Sequence, residues 1–357
     1  MLRANWMFVS VKQSKPLIVL IMIVSFLSLW ILLPARFANP ATAGYYVKSP
    51  RLAEKNLYKL DTEWPKFPKF FTGQVFGVAV DPVADIVYVA QRGESVSKVL
   101  VFTEHGYFLQ GWNTTTIEMP HGIFAANTLP SSTVWVTDVG NGMIGKYGHT
   151  VKQYTSFGKL LQTLGTPGTP GSGLIPLQFD QPAEVFVSKK GEIYIVDGDG
   201  GLNNRLIKLA QGFGIVWMKG EKGAGPSQFY IPHSVTEDTV GRIWVADRGN
   251  KRLQAFDAAS GEWLGSWASC FTDDAPYSVR LTYDNKYFVV AQLNSNRIVF
   301  LSVPPIGDIG TCLIVDTIQL ADDVKPHLVD VNRKTGAIYV AEIGAQQAQK
   351  FIPNSRR

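Results

Sequence analysis

Three of the five histidines in this 357-residue sequence occur in the same local context. His121, His233 and His327 each follow a proline that opens a short, strand-forming apolar stretch. Three imidazole nitrogens can hold zinc and leave its fourth position open to a substrate or to water. If the stretches meet around one axis, the sequence predicts a three-histidine zinc site. The alternative is that each histidine only forms a hydrogen bond to nearby backbone. His105 and His149 lie in turn segments, where we expect ordinary surface residues.

Two arginines follow strand-forming phrases of related sequence. Arg92 comes after VYVAQ, and Arg248 comes after IWVAD. A guanidinium combines a fixed charge with a planar set of donors that suits a carboxylate or an oxyanion. The sequence predicts that both arginines face the histidines. The alternative is that each arginine forms a salt bridge between neighbouring repeats of the chain, to Asp138, Asp247 or Glu342.

The elements that must position these residues repeat six times along the chain. A β-rich phrase ending in small or acidic residues occurs at 87–93, 134–140, 193–199, 243–249, 288–294 and 338–344. A further strand-like segment follows each phrase, at 99–102, 143–147, 205–209, 252–256, 297–301 and 349–351. Strands of this length, separated by Gly and Asp turns, predict four-stranded blades. Six such units predict an all-β, six-bladed β-propeller.

The histidines fall on alternate units of this repeat. The prolines that open the inner strands stand at positions 120, 182, 232, 276 and 326, and the histidines follow those of units two, four and six. Alternate blades of a six-bladed ring are ~120° apart, and inner strands line the channel. The three imidazoles should therefore converge on the axis. The last unit ends after its third strand, so we expect residues 56–60 to supply the fourth and close the ring.

Composition excludes several classes of protein. Apolar residues make up 46% and charged residues 18% of the chain, which excludes a disordered protein. The formal net charge is +5, but residues 1–55 carry seven basic residues and one acid, leaving 27 basic and 28 acidic residues for the remainder. A neutral propeller argues against nucleic acid as a partner. The sequence has no P-loop, G-x-S-x-G, HExxH or CxxC motif, which argues against nucleotide hydrolysis and serine-hydrolase chemistry.

The N-terminal segment determines the expected compartment. Residues 17–33 are uncharged and would form a helix about 26 Å long. They predict one hydrophobic helix, either an uncleaved single-pass membrane anchor or a signal peptide cleaved after residues 41–43. We therefore divide the chain into an anchor or signal with its stalk, 1–43, and a propeller, 44–357. In either case the propeller is expected to be lumenal or extracellular, on a membrane-anchored or secreted protein.

Two further features concern that compartment. Cys270 and Cys312 suit an oxidising environment if they pair, whereas two free buried thiols are equally compatible with the sequence. Asn113 begins an Asn-Thr-Thr triplet, which is a glycosylation acceptor in a eukaryotic secretory route.

The repeats resemble a known family. In residues 220–235, glycines precede Gln-Phe and then proline, and the segment is followed by Ala-Asp and Asn-x-Arg. This pattern resembles the NHL repeat over roughly residues 70–352. The P-H motifs at 119–122, 231–234 and 325–328, together with Arg92-Gly93 and Ala-Asp-Arg248, also resemble the peptidyl-α-hydroxyglycine α-amidating lyases.

The second resemblance implies a specific chemistry. Lyases of that family are six-bladed propellers that cleave a C-terminal α-hydroxyglycine into a peptide amide and glyoxylate. By resemblance, His121, His233 and His327 would hold zinc. Arg92 would match the essential arginine and Arg248 a second active-site arginine. The implied partners are a peptide that ends in α-hydroxyglycine and a hydroxylase that supplies it.

Two positions depart from the family. A tyrosine follows Asp-Gly in the third blade of the lyases, whereas this chain has Asp199; an aspartate that helps to hold calcium is replaced by Leu328, which argues against calcium. Without the tyrosine, Asp199 or Tyr277 is the candidate base.

Two functions remain open. One is a zinc-dependent lyase acting on peptidyl-α-hydroxyglycine or a similar carbinolamide. The other is a non-catalytic propeller that binds a ligand or a protein.

Overall fold

The computed structural model describes residues 56–128, 131–141 and 145–354. Within them lie six four-stranded antiparallel sheets. The inner strands of successive sheets contact one another, and the inner strand of the sixth sheet contacts that of the first. These residues therefore form the predicted six-bladed, all-β propeller.

The first strand, β1 (Tyr58–Leu60), precedes the blades. From the axis outward, blades one to three contain β2 (Gln74–Asp81), β3 (Ile86–Arg92), β4 (Val99–Thr103), β5 (Phe108–Gly111); β6 (Pro120–Thr128), β7 (Ser131–Asp138), β8 (Thr150–Thr155), β9 (Leu160–Leu164); and β10 (Pro182–Val187), β11 (Ile193–Asp197), β12 (Arg205–Leu209), β13 (Ile215–Lys219). Blades four to six contain β14 (Pro232–Glu237), β15 (Arg242–Asp247), β16 (Arg252–Asp257), β17 (Trp263–Trp267); β18 (Ser278–Leu281), β19 (Tyr287–Gln292), β20 (Arg297–Ser302), β21 (Ile314–Gln319); and β22 (Pro326–Val331), β23 (Ile338–Glu342), β24 (Gln347–Pro353). Short 3-10 turns span Pro68–Phe70, Arg248–Asn250 and Ser269–Phe271.

The two ends of the propeller meet in blade six. Strand β1 pairs antiparallel with β24, with Tyr58 opposite Pro353 and Leu60 opposite Phe351. The Tyr58 ring also stacks on Phe300 of blade five, with ring centroids 5.2 Å apart. The prediction that residues 56–60 complete the last blade is confirmed.

The hydrophobic cores lie between neighbouring blades. Between blades two and three, Trp135 and Val151 pack with Val185 and Ile207. Second strands such as β11 and β15 are buried along their whole length because a blade covers each face. Apolar burial between blades thus holds neighbouring blades together.

The prediction for the third strand of blade two was wrong. We expected it at 143–147, but the strand is β8, Thr150–Thr155. In this register Val151 and Tyr154 are fully buried, and the Lys152 ammonium lies 3.0 Å from the buried Asp138 carboxylate. The apolar residues in 143–147 suggested a strand there. The chain instead adopts the register that pairs Lys152 with Asp138.

The prediction that His149 is a surface residue was also wrong. It lies immediately before β8 and is only 2% exposed. Its Nδ1 accepts the Gln181 backbone N–H at 3.3 Å and lies 3.6 Å from Asp180 Oδ1. His105, in contrast, is exposed as expected, with 81% of its side chain accessible.

The cysteine alternative is resolved in favour of a disulfide. Cys270 and Cys312 are bonded to each other at the outer side of blades four and five. Asn113 is exposed in the loop after β5. The hydrophobic helix expected over 17–33 and the boundary at residue 43 lie outside the described residues. Within the described part of the chain, no helix is long and apolar enough to cross a membrane.

Candidate metal centre

Aspartates at the ends of second strands hold the loops that lead into the inner strands. Each accepts a backbone N–H from such a loop: Asp138 from Met119 at 2.8 Å, Asp197 from Asp180 at 2.9 Å and Asp247 from Tyr230 at 2.8 Å. A cation on the third strand balances each buried carboxylate, at 2.8 to 3.0 Å: Lys152, Arg205 and Arg252. These contacts fix where the inner strands of blades two, three and four begin.

The three predicted histidines meet on the axis. Each lies where the pairing register of its inner strand shifts by a bulge, a device that redirects a side chain. The ring centroids of His121, His233 and His327 are 4.7 Å apart in all three pairs. Their candidate ligand atoms lie within 4.8 Å of one another, and all three residues are buried. The prediction that these side chains converge is confirmed, and the cluster could hold a metal ion.

Each imidazole is oriented by the backbone of the next blade. Every Nδ1 lies in hydrogen-bond distance of the carbonyl at the equivalent position there: His121 of Ala183 at 2.7 Å, His233 of Tyr277 at 2.6 Å and His327 of Phe76 at 2.6 Å. A carbonyl oxygen only accepts, so Nδ1 carries the proton in each ring. The lone pair is then on Nε2. Metal-bound histidines typically use this arrangement.

An additional pair of residues supports His121. The Ala183 carbonyl also accepts the Thr137 hydroxyl at 2.8 Å, and the Thr137 Oγ1 accepts the Gly122 N–H at 2.7 Å. A Cβ on Gly122 would lie 2.7 Å from the Ala183 oxygen, so only glycine permits this approach between blades two and three. Sequence reasoning missed both residues because their partner is a backbone atom.

Asp199 reaches the histidines. Its Oδ2 lies 3.0 Å from His121 Nε2, and its Oδ1 lies 3.1 Å from Arg248 Nη2. The preceding Gly198 has a φ of +134°, and the N–H groups of both residues donate to the Gln181 carbonyl. Burial alone would raise the pKa of the Asp199 carboxyl. A proton on His121, hydrogen-bonded to this carboxylate, and the charge of Arg248 would outweigh burial and hold the pKa of the Asp199 carboxyl well below its usual range.

Both predicted arginines face the site, and each lies over an aromatic ring. The Arg92 guanidinium is 3.5 Å from the centroid of Phe76, and that of Arg248 is 4.9 Å from the centroid of Tyr277. Arg92 Nε donates to the Pro120 carbonyl at 2.8 Å, whereas its buried Nη2 has no hydrogen-bond partner among the described residues. Burial lowers the pKa of Arg92 to about 10, which leaves it charged at neutral pH.

In the described structure, neither arginine forms the alternative salt bridge to Asp138, Asp247 or Glu342. Asp138 pairs with Lys152, and Asp247 pairs with Arg252. Glu342 accepts a hydrogen bond from Gln347.

The chemistry of the donor set fits zinc. Burial lowers the pKa values of His233 and His327 well below the usual range, so both imidazoles stay neutral and their Nε2 lone pairs are available. The Nε2 of His233 is buried without a hydrogen-bond partner in the described part of the chain. An orphaned buried acceptor is costly. A metal ion shared with His121 and His327 would satisfy it, and neutral imidazole nitrogens are ligands that zinc favours.

Inner strands β10, β18 and β22 also carry a buried ion triad. Arg280 donates to both carboxylate oxygens of Glu184, at 2.8 and 3.1 Å, and its Nε lies 3.5 Å from Asp330 Oδ1. All three residues are buried. Leu328, directly after His327, is buried, and its side chain offers no ligand atom. The charged residues of β10, β18 and β22 were a signal for this triad that sequence reasoning did not use.

Comparisons with known proteins agree with this architecture. No family model matches the chain. It is 58% identical to NHL repeat-containing protein 3 of Homo sapiens over 325 residues, which cover 91% of this chain and 92% of that protein. It is 34% identical over 148 residues to a probable peptidyl-alpha-hydroxyglycine alpha-amidating lyase of Caenorhabditis elegans, covering 40% of this chain and 38% of that one. A streptogramin B lyase structure superposes with a TM-score of 0.54 at 13% identity, over 79% of this chain and 94% of that chain, which indicates a shared fold alone.

The repeat pattern, the blades and these relatives together define the class of protein. It is an NHL-repeat β-propeller that resembles the peptidyl-α-hydroxyglycine α-amidating lyases. Within that class, the identity and coverage of the human relative show that the chain belongs to the NHL repeat-containing protein 3 family.

Proposed function

We propose that this protein is a zinc-dependent lyase that cleaves peptidyl-α-hydroxyglycine, or a similar carbinolamide, to a peptide amide and glyoxylate. The observation that carries this proposal is the convergence of three oriented imidazoles, one carboxylate and two guanidinium groups. His121, His233 and His327 would hold zinc through Nε2. Zinc would supply a Lewis acid that polarises the hydroxyl oxygen of the substrate.

Asp199 is the carboxylate placed for the proton transfer that this cleavage requires. Its Oδ2 lies beside His121 Nε2 and can accept the proton of the substrate hydroxyl. As the carbon–nitrogen bond breaks, the electron pair of that bond goes to the amide nitrogen. Asp199 then returns the proton to that nitrogen. The products are the peptide amide and the aldehyde glyoxylate. Tyr277 is the weaker candidate because its ring supports Arg248 and its carbonyl orients His233.

The arginines would bind the carboxylate of the substrate. Arg92 has a buried Nη2 without a partner in the described residues, and Phe76 holds its guanidinium in place. A carboxylate could accept from this nitrogen in a charge-assisted hydrogen bond. Arg248 already contacts Asp199 and would orient that base.

We place the enzyme in the lumenal or extracellular space, secreted or held at a membrane through residues 17–33. The Cys270–Cys312 disulfide supports this placement because such bonds persist in oxidising compartments. The natural partners would be a peptide with a C-terminal α-hydroxyglycine and the hydroxylase that makes it.

A second candidate function is a non-catalytic propeller that uses the same centre to bind a ligand or a protein. The observation that favours it is the pair between Asp199 and Arg248, which occupies donors that a substrate carboxylate could use.

A glyoxylate assay distinguishes the two functions. The full chain, loaded with zinc, is incubated with a peptide that ends in α-hydroxyglycine, and glyoxylate is measured. We expect turnover in the wild type and a loss of about a hundredfold or more in D199N, the usual scale for removing a general base. H105A, at an exposed position, is the control and should match the wild type. Wild-type release no greater than that of a chelator-treated sample would contradict the lyase and leave the binding module.

A further inference from the structure

We propose that Asp199 is the fourth ligand of the metal held by the three histidines, so that the resting centre is closed by a carboxylate. This inference rests on the proposed metal centre. It concerns the two oxygens of the Asp199 carboxylate. Oδ2 contacts His121 Nε2, and Oδ1 contacts Arg248.

The contact between Asp199 and His121 needs a cation between the two atoms. The Nδ1 of His121 donates to the Ala183 carbonyl, so without a second proton on the ring its Nε2 is an acceptor. A carboxylate oxygen is also an acceptor. Two acceptors 3.0 Å apart, with His121 only 1% exposed, repel each other unless a proton or a metal ion is shared between them.

The neighbouring histidine favours the metal over the proton. A proton on His121 Nε2 would satisfy that one contact and leave the buried Nε2 of His233 without a partner in the described structure. A metal ion would serve both nitrogens and that of His327, since their ligand atoms lie within 4.8 Å of one another. One ion thus accounts for two separate observations, whereas one proton accounts for only one of them.

The spacing is that of two ligands on the same ion. Zinc binds imidazole nitrogen at 2.0–2.1 Å and carboxylate oxygen at 2.0–2.2 Å, which puts neighbouring ligand atoms of a tetrahedron about 3.3 Å apart. The observed distance from Asp199 Oδ2 to His121 Nε2 is 3.0 Å. The carboxylate therefore lies at the separation from His121 that a fourth ligand would have.

The surroundings of Asp199 leave one oxygen for the metal. Arg248 Nη2 lies 3.1 Å from Oδ1, and the Arg248 guanidinium is itself held over the Tyr277 ring. The left-handed Gly198 and the two N–H bonds to the Gln181 carbonyl fix the backbone of the loop. Ligands held by outer hydrogen bonds of this kind are set in orientation before the metal arrives.

A closed centre changes how the proposed lyase would start. The substrate hydroxyl would have to displace Asp199 Oδ2, and the displaced carboxylate would then lie next to that hydroxyl as its base. Arg248 would keep the carboxylate nearby through Oδ1. The residue that closes the centre would thereby become the residue that accepts the proton.

Azide binding to the cobalt(II)-substituted full chain tests this inference without using activity. The visible spectrum of cobalt(II) reports its coordination, and azide occupies an open position. We expect millimolar azide to leave the wild-type spectrum unchanged and to shift that of D199A. We also expect D199N to lose at least tenfold in metal affinity in competition with a chelator. D308A removes a carboxylate from an exposed loop and should behave as the wild type.

The outcomes separate this inference from the proposed function. If the wild type holds cobalt(II) and azide shifts its spectrum as much as that of D199A, the centre is open and the inference is overturned, while the metal centre stands. Unchanged metal affinity in D199N would overturn it as well. If the wild type retains no cobalt(II) or zinc, the metal centre fails, and the proposed lyase and this inference fail with it.

Discussion

The acceptors that orient the three imidazoles are backbone carbonyls, so no side-chain substitution removes them directly. Thr137 gives indirect access because its hydroxyl shares the Ala183 carbonyl with His121 and holds Gly122. We expect T137V to lower metal affinity about tenfold, the lower end of the effect of an outer-shell partner. The loss of the acceptor for the buried Gly122 N–H should also cost about 1–3 kcal/mol of unfolding free energy. Chelator competition and chemical denaturation measure the two effects.

Thr133 provides the control for this prediction. It is a buried threonine in the same strand, β7, opposite Ala126 and away from the histidines. T133V should keep the metal affinity of the wild type. Equal affinities for T137V and the wild type would show that Thr137 does not position His121.

The same residues show which parts of the site can be predicted from sequence. The histidines, Arg92 and Arg248 were identifiable because each occupies a repeated position, and a repeat converts spacing along the chain into proximity. The contact of Asp199 with His121 depends on the path of one loop after Gly198, which no repeat fixes. The acceptors at Ala183, Tyr277 and Phe76 act through main-chain atoms, which carry no signature of residue type.

Among the structural elements, β1 shows how three residues can secure a ring. Tyr58 is 4% exposed and stacks on Phe300 of the neighbouring blade. We expect Y58A to lower the free energy of unfolding by about 3–5 kcal/mol, the scale for losing a large aromatic from a core. Chemical denaturation of the full chain is the measurement.

Lys59 gives the matched control in the same strand. Its side chain is exposed, and K59A should change stability by less than about 0.5 kcal/mol. A Y58A variant as stable as K59A would show that β1 does not close the ring in solution.

The end of β23 holds a carboxyl group that burial keeps protonated. Glu342 is fully buried, and burial raises its pKa well above the usual range, although the hydrogen bond from Gln347 opposes the shift. The folded protein therefore holds a proton that the unfolded chain releases at lower pH. Stability should fall as pH rises from the unfolded pKa, about 4.3, through the raised folded pKa, by up to about 1.4 kcal/mol per pH unit.

E342Q isolates this contribution. The amide has the shape of the protonated carboxyl and does not ionise, so the variant should lose the decline and be more stable than the wild type above the folded pKa. E262Q changes an exposed glutamate and should keep the wild-type profile. Parallel pH profiles of unfolding free energy for E342Q and the wild type would contradict the raised pKa.

Elements differed in how well their sequences specified them. Third strands beginning at Arg205, Arg252 and Arg297 were placed correctly because alternating apolar residues start directly after a turn. In blade two, a charged residue, Lys152, belongs to the strand because Asp138 neutralises it in the interior. A pattern that assigns charge to the surface cannot anticipate such a pair, and the burial of His149 beside it was missed for the same reason.

For the whole molecule, the proposed metal is a link between alternate blades. An ion bound to His121, His233 and His327 would connect blades two, four and six, and it would bind the folded chain only. Zinc should therefore raise the melting temperature with concentration, by the equivalent of about 2.7 kcal/mol at a hundred times its dissociation constant. The shift should be absent in H327A. A wild-type melting temperature independent of zinc would contradict this link.

At this scale the sequence specified the architecture almost completely. Six repeats and an unfinished last blade sufficed to predict the number of blades and the closure by residues 56–60. The buried polar residues of the inner strands were only half predicted. The histidines share a motif, whereas the triad of Glu184, Arg280 and Asp330 is assembled from unrelated residues of three blades.

The central claim is that the three histidines form one metal site, and zinc content tests it most directly. Elemental analysis of the purified full chain should find about one zinc in the wild type and in H105A. Each of H121A, H233A and H327A should lose it, because two imidazoles and water hold zinc poorly. Double variants should match the single ones, since residues that share one site do not act additively. Full zinc content in any one of the three single variants would contradict the claim.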